Sequence, residues 1–338
     1  MGGNSIDAAR VRRGALFLIN IGVPVLVGAL RGEFGGALIG AVVGTALAFA
    51  DNDTELPGRL RLLAVDAGAI AGGGIVGWLC RDSAAALWPV FVAITLSVGM
   101  AARGGRESLL VARHCAIAFT VAAVIPAFES YQIWYLFGVL ALAAASRTID
   151  YLFAGKLVLQ PAAPLQAPSG QSGWLRYALA FSGAGLAALW IGRTLDPVHT
   201  VWVVVTTLVV MRPDAGASYR RVVERVAGTF VGAAAAWVIA MLFHSAAVIV
   251  IVILLVAPFI PRHRANRYWL HTALIAFVVL LAYDLTLLGT RGAVHLLSER
   301  LEDVLLGCAI ALVGTAAAFP REAAAELDDL VGGDPSDR

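Results

Sequence analysis

The chain has 338 residues, 59% of them hydrophobic and 14% charged, with a net charge of +2 and a mean hydropathy of +0.81. That balance excludes an ordinary water-soluble domain of this length. So small a charge, dispersed over many loops, excludes nucleic acid as a partner, and Cys80, Cys115 and Cys308, with no CxxC or Cys/His spacing, exclude a disulfide framework and a zinc site.

In chain order, Arg10, Arg12 and Arg13 precede an apolar run over 14–31, which reads as a span because no clean small-residue cleavage site follows it. Further spans are expected at 35–50, 62–79, 84–100, 108–127 and 133–153. A second set at 174–191, 195–211, 222–239, 244–260, 268–288 and 301–319 repeats the rhythm at an offset of about 160 residues. The fold class is therefore all-α: a polytopic integral membrane protein of about twelve transmembrane helices, arranged as two parallel six-helix repeats. The repeats occupy 1–155 and 174–320, a Pro- and Gln-containing linker occupies 156–173, and 321–338 form a short cytoplasmic tail. The second span of each repeat is short, and Pro24, Pro89, Pro126 and Pro258 interrupt others, so broken or tilted helices are expected.

Positive charge alternates across the loops. Arg10, Arg12, Arg13, Arg59, Arg61, Arg103, Arg106, Lys156, Arg212, Arg220, Arg221, Arg262, Arg264, Arg267 and Arg321 fall on one side, with Arg31, Arg81, Arg193, Arg291 and Arg300 on the other. This places both termini in the cytoplasm of an inner membrane. Glycines recur every fourth residue at Gly36, Gly40 and Gly44, at Gly68 and Gly72, at Gly73 and Gly77, and at Gly228 and Gly232. At the repeat offset Gly68 and Gly72 meet Gly228 and Gly232, which predicts one packing face in the third helix of each repeat.

The densest motif is VWVVVTTLVVMRPDAGASYRRVVERVAGTFVG over 201–232. Its Trp202 and Thr206, then Arg212, Pro213, Asp214 and Gly216, then Arg221, Arg225, Gly228, Thr229 and Gly232, resemble the signature of the fusaric acid resistance protein-like family. SERLEDVLLGCAIALVG, over 298–314, is similar to that family's closing helix. The resemblance covers roughly 174–320 and reaches the first half only in outline. It implies a membrane transport module, with aromatic and other weak organic acids exported by some members and organic anions conducted by related plant channels. The chain departs from the larger exporters in lacking a soluble domain after either half, so a minimal form is expected.

In physical terms Arg212, Arg221 and Arg225 would set guanidinium groups and a helix N-terminus at a cytoplasmic mouth that attracts carboxylates, with Thr206 and Thr207 supplying hydroxyls and Trp202 an aromatic face. The plainer reading keeps the arginines as positive-inside residues and the Pro213–Gly216 stretch as a turn. Four ionisable residues lie within spans. Asp66 and His271 stand near helix ends, where capping or snorkelling accounts for them, whereas His114 and Asp284 sit deeper. The deeper pair could exchange protons during transport or make interhelical hydrogen bonds. No P-loop, HExxH or nucleophile elbow occurs, so neither an enzyme nor a cofactor or metal is expected. The expected partners are the lipid bilayer, a small organic anion and, as an option, a second copy in a homodimer. The reading is an inner-membrane secondary transporter exporting small organic acids, with an organic-anion channel and a non-transporting scaffold as alternatives.

Overall fold

The computed structural model describes residues 3–52, 54–125, 129–156, 170–195, 197–213, 215–243, 245–263, 267–286 and 293–320. The linker over 157–169, the tail over 321–338 and the Arg221 side chain lie outside the described residues. All regular structure among the described residues is helical. In chain order the helices are α1 (Gly3–Phe17), α2 (Val23–Arg31), α3 (Phe34–Phe49), α4 (Leu56–Cys80), α5 (Ala84–Ala101), α6 (Arg106–Val124) and α7 (Ser130–Ala154). They continue as α8 (Gly170–Leu195), α9 (Pro197–Val210), α10 (Ala215–Leu242), α11 (Ala246–Val256), α12 (Tyr268–Thr286) and α13 (Ala293–Ala318).

Each expected span coincides with one of these helices, α1 and α2 together making the first. Among the described residues, eight helices are long and apolar enough to cross a membrane, and Phe34–Phe49, Thr200–Val210 and Ala246–Arg262 are shorter apolar helices. The protein is a multi-pass membrane protein. Its apolar residues also face outward, as lipid contact requires: Trp134 is 74% exposed and Phe153 88%. The 16 residues of α3 rise about 24 Å, short of a hydrocarbon core of about 30 Å.

A π-turn over Leu18–Gly22 joins α1 to α2. It sits immediately before Pro24, whose missing N–H would deprive the Asn20 carbonyl of its α-helical donor, and the wider turn resettles the ladder around that gap. Pro89 is accommodated inside α5, while Pro258 falls in the 3-10 segment Ala257–His263 that ends α11.

The chain forms two compact units, and neither coincides with a half of the sequence. The first unit comprises Met1–Ala69, Pro126–Ala162 and Glu224–Leu301; the second comprises Ile70–Ile125, Ala163–Val223 and Glu302–Arg338. In the first, Phe17, Ile21, Ala37 and Ala41 share one buried core with Ile249, Ile253, Val278 and Leu281. α3 packs on α2, α7 and α12, and α1 packs on Ala257–His263. In the second, α8 packs on α5 and α9, and α6 packs on α5 and α9.

Glycine sets the closest approaches inside each unit. A Cβ at Gly228 or Gly232 of α10 would fall under 3.0 Å from the Trp269 or Ala273 carbonyl of α12, so these two residues set the approach of those helices. Gly68 and Gly72 of α4 do not stand in the same relation to α6. Cβ atoms at Gly68 and Gly72 meet nothing within 4 Å among the described residues, whereas Cβ atoms at Gly73 and Gly77 would fall under 3.0 Å from the Cys115 and Phe119 carbonyls of α6. The packing register of α4 is thus five residues later than the offset of about 160 suggests. The stripe of Gly36, Gly40 and Gly44 lies against Tyr135, Pro24 and the Asn20 carbonyl in turn.

Candidate functional site

In the second unit the short helix α9 carries the polar residues expected of a solute path. Thr206 and Thr207 are both buried, at 1% and 0% exposure. The Thr207 hydroxyl is shared between the Val203 carbonyl one turn back (2.9 Å) and the Gly307 carbonyl of α13 (3.1 Å). Gly307 permits this because a Cβ there would fall under 3.0 Å from the Thr206 Cβ and the Val203 carbonyl. Thr206 Oγ1, by contrast, is buried without a hydrogen-bond partner among the described residues. A buried hydroxyl left unpaired costs about 1–3 kcal/mol, so its persistence calls for an explanation. Trp202 lies half-buried on the same helix.

Positive charge gathers at the C-terminal end of α9. The Arg113 guanidinium, from α6, donates to the Met211 carbonyl at 2.5 Å and so satisfies an end-of-helix acceptor. Arg212 follows at once and is half-buried. Arg113 and Arg212 both act electrostatically on Tyr177 of α8. The Tyr177 hydroxyl is buried beside the Arg113 guanidinium, while its ring packs on Phe181 and Phe319 at centroid distances of 5.8 and 6.1 Å. The unit also holds a hydroxyl pair, Thr95 on α5 and Ser182 on α8, with oxygens 2.8 Å apart. His114, half-buried on α6, is the neighbour of Arg113.

The remaining expected site residues fall in the first unit. Arg225 is half-buried on α10, and its Nε is buried without a hydrogen-bond partner among the described residues. Asp284 is half-buried on α12. Asp66 and His271 are more enclosed than snorkelling allows, at 0% and 5% exposure. The His271 Nδ1 pairs with the Ile260 carbonyl at 2.9 Å.

Two features of the first unit escape the sequence. One is a buried ion cluster. Arg59, fully buried, donates twice to Asp51, at 2.7 and 2.8 Å, and once to Asp150, at 2.8 Å. Arg12 donates twice to Asp150, at 2.8 and 2.9 Å, and also to the Ala154 and Gly155 carbonyls that end α7. Arg147 donates to the Ala143 and Leu47 carbonyls and lies 3.5 Å from Asp51. Such bidentate pairs lock helix ends together because a guanidinium fork matches carboxylate geometry. At the edge of the cluster, a hydrogen bond to Glu55 raises the exposed Lys156 ammonium above its ordinary value. The other feature is Asn20 in the π-turn, 1% exposed. Its amide donates to the Leu16 carbonyl at 2.7 Å and to the Ser146 hydroxyl at 3.4 Å, leaving Oδ1 buried without a partner among the described residues. The one sequence signal for it is a polar residue four before a proline in the middle of an apolar span.

Residues 184–314 match the family described as fusaric acid resistance protein-like. The matched segment runs from α8 to α13 and contains Trp202, Thr206, Thr207, Arg212 and Gly307. The chain is also 31% identical over 133 residues to YhfK of Escherichia coli (strain K12), and 28% identical over 129 residues to a protein of Haemophilus influenzae (strain ATCC 51907 / DSM 11121 / KW20 / Rd). Both relatives are named as uncharacterized proteins. These alignments cover 39% and 38% of this chain, which spans only 18% of the length of each relative. No solved structure matches.

Proposed function

We propose that this protein is a secondary transporter that exports small organic acids, aromatic or carboxylic, across an inner membrane with both termini in the cytoplasm. The observation that carries the reading is in the second unit: the unpaired Thr206 hydroxyl stands on a helix whose C-terminal end gathers Arg113 and Arg212, all within or packed on the family-matched segment. An organic acid needs just these groups, a guanidinium for its carboxylate and a hydroxyl and an aromatic face for its body. Arg212 would capture the anion, with Thr206 and Trp202 contacting it deeper in the path. Arg221 and Arg225 would add to the attracting field, and His114 and Asp284 are the groups proposed to exchange protons with the solute's movement.

The test is flux of radiolabelled aromatic and dicarboxylic acids in proteoliposomes, with and without an imposed pH gradient. Saturable, gradient-dependent flux supports the transporter. Current that grows with concentration without saturating would transfer the assignment to an organic-anion channel, and no flux from verified folded protein would transfer it to a scaffold.

A further inference from the structure

We infer that the six-helix segment repeated along this chain is a pairing module whose partner is a second copy of itself, each copy lending its third, fourth and fifth helices to complete the other's first, second and sixth. In the first unit α1, α2, α3 and α7 come from the first half of the chain, while α11, α12 and α10 from Glu224 onward come from the second. In the second unit the exchange is reversed. There α8, α9 and α13 from residue 302 onward belong to the second half, while α5, α6 and α4 from Ile70 onward belong to the first.

The two units are built from the same contacts, which is what makes this a rule of the module. α3 packs on α12 in the first unit as α9 packs on α6 in the second. The α10 glycines seat on α12 at Trp269 and Ala273 as the α4 glycines seat on α6 at Cys115 and Phe119. Gly28 meets Ala37 where α2 turns into α3, and Gly192 meets Thr200 where α8 turns into α9. Gly14 of α1 meets Pro258, and the matching crossing of α8 with α5 places Ala178 on Gly99. In that last pair the glycine sits on opposite partners, so the crossing itself is preserved rather than one residue.

A module alone would leave these faces without their complement. Within the second unit Phe91 and Phe119, supplied by the first half, pack on each other, and Phe91 meets Leu208, supplied by the second half, around Gly185; all three large side chains are fully buried. The Thr95–Ser182 hydrogen bond joins the same two halves. In a bilayer lipid replaces water on an unpaired apolar face, so the loss is of close helix packing and of interhelical hydrogen bonds, the terms that drive helix association there. A second module restores both, by the exchange that commonly makes dimers from identical elements. In this chain the exchange is internal, so neither unit needs a second chain to complete it. The reading is independent of what, if anything, is transported.

The test inserts a protease site into the linker between residues 157 and 169 of the full-length chain and cuts it after purification in a mild detergent. The cut protein also carries Thr95→Cys and Ser182→Cys, with Cys80, Cys115 and Cys308 replaced by alanine. The expected result is that the two fragments elute together at the size of the uncut chain, and that oxidation joins them into one band of full-chain mass. Fragments that separate as two folded species would overturn the inference by showing each half complete in itself. Oxidation of uncut protein that yields only a band of twice the chain mass would overturn it as well, because the crossing would then lie between chains.

Discussion

Two glycines five residues apart on α4 offer a test in which the sign of the effect, not only its size, follows from the structure. Replacing either Gly72 or Gly77 with alanine removes backbone freedom from the unfolded helix and so stabilises by about 0.5–1 kcal/mol. At Gly72 nothing among the described residues opposes this gain, because the new methyl group meets none of their atoms within 4 Å. At Gly77 the methyl falls under 3.0 Å from the Phe119 carbonyl oxygen and also presses on that residue's carbonyl carbon and Cα. Backbone atoms cannot rotate aside, so α4 and α6 must part, at the overpacking cost of about 1–3 kcal/mol. Gly72→Ala is therefore expected to be neutral or stabilising and Gly77→Ala destabilising, the two differing by about 1–3 kcal/mol. Gly232→Ala, which meets the Ala273 backbone in the same way, is expected to follow Gly77→Ala. Unfolding midpoints of the purified variants in mixed micelles read the differences directly. If Gly72→Ala lost as much stability as Gly77→Ala, α4 would present its other face to a neighbour and the assigned packing register would be wrong.

Arg59→Met strips both Asp51 and Asp150 of their shared buried cation and is expected to cost about 3–5 kcal/mol, whereas Arg31→Ala breaks an exposed pair with Glu33 worth about 0–1 kcal/mol. Unfolding midpoints that fell equally for both would remove the cluster from the list of what holds the first unit together. Thr206→Val keeps the shape of the side chain and deletes its unpaired hydroxyl, so folding should be unchanged or slightly firmer while the half-saturating acid concentration rises about tenfold, the equivalent of one lost hydrogen bond of about 1.4 kcal/mol. Unaltered flux kinetics would take Thr206 out of the path. His114→Gln and Asp284→Asn are each expected to retain downhill flux and, where the residue carries the proton, to abolish the response to an imposed pH gradient; retained coupling in both variants would exclude the pair.

The spans were legible because hydropathy and charge are properties of contiguous residues, and so was the motif between 201 and 232, whose Thr206, Thr207 and Arg212 the fold gathers at one helix and its end. The glycine register was not. Gly68 with Gly72 and Gly73 with Gly77 both satisfy the spacing, and at 3.6 residues per turn the two pairs lie about 140° apart on α4, so only the position of α6 decides between them. Arg59 was hidden for a related reason. In sequence it is one more basic residue beside a membrane end, and its burial depends on Asp150, 91 residues away on α7. The exchange of helices between halves leaves no local trace either, since hydropathy orders the helices without saying which of them pack.

The repeated architecture supplies its own control for separating polar residues that the fold requires from those it merely tolerates. Where α7 crosses the first span, Asn20 bonds to Ser146. At the matching crossing in the second unit, Gly314 of α13 meets Ala184 of α8, two small apolar residues where the first unit has a hydroxyl and an amide. Close approach at this crossing is thus made by small apolar residues, and the amide and hydroxyl of the first unit are not required to build it. Energetics agree. Asn20→Ala forfeits two amide hydrogen bonds worth about 1 kcal/mol each but also removes a buried, unpaired Oδ1 that costs about 1–3 kcal/mol, so the net change in stability should lie within about 1 kcal/mol of zero. A residue kept at no gain to folding, inside a π-turn, is expected to act on the solute or on the movement of the helix, as π-turns often do. Asn20→Ala should accordingly unfold like the parent while its acid flux falls severalfold. Loss of stability with flux per folded molecule intact would make Asn20 a structural residue and break the inference from the second unit to the first.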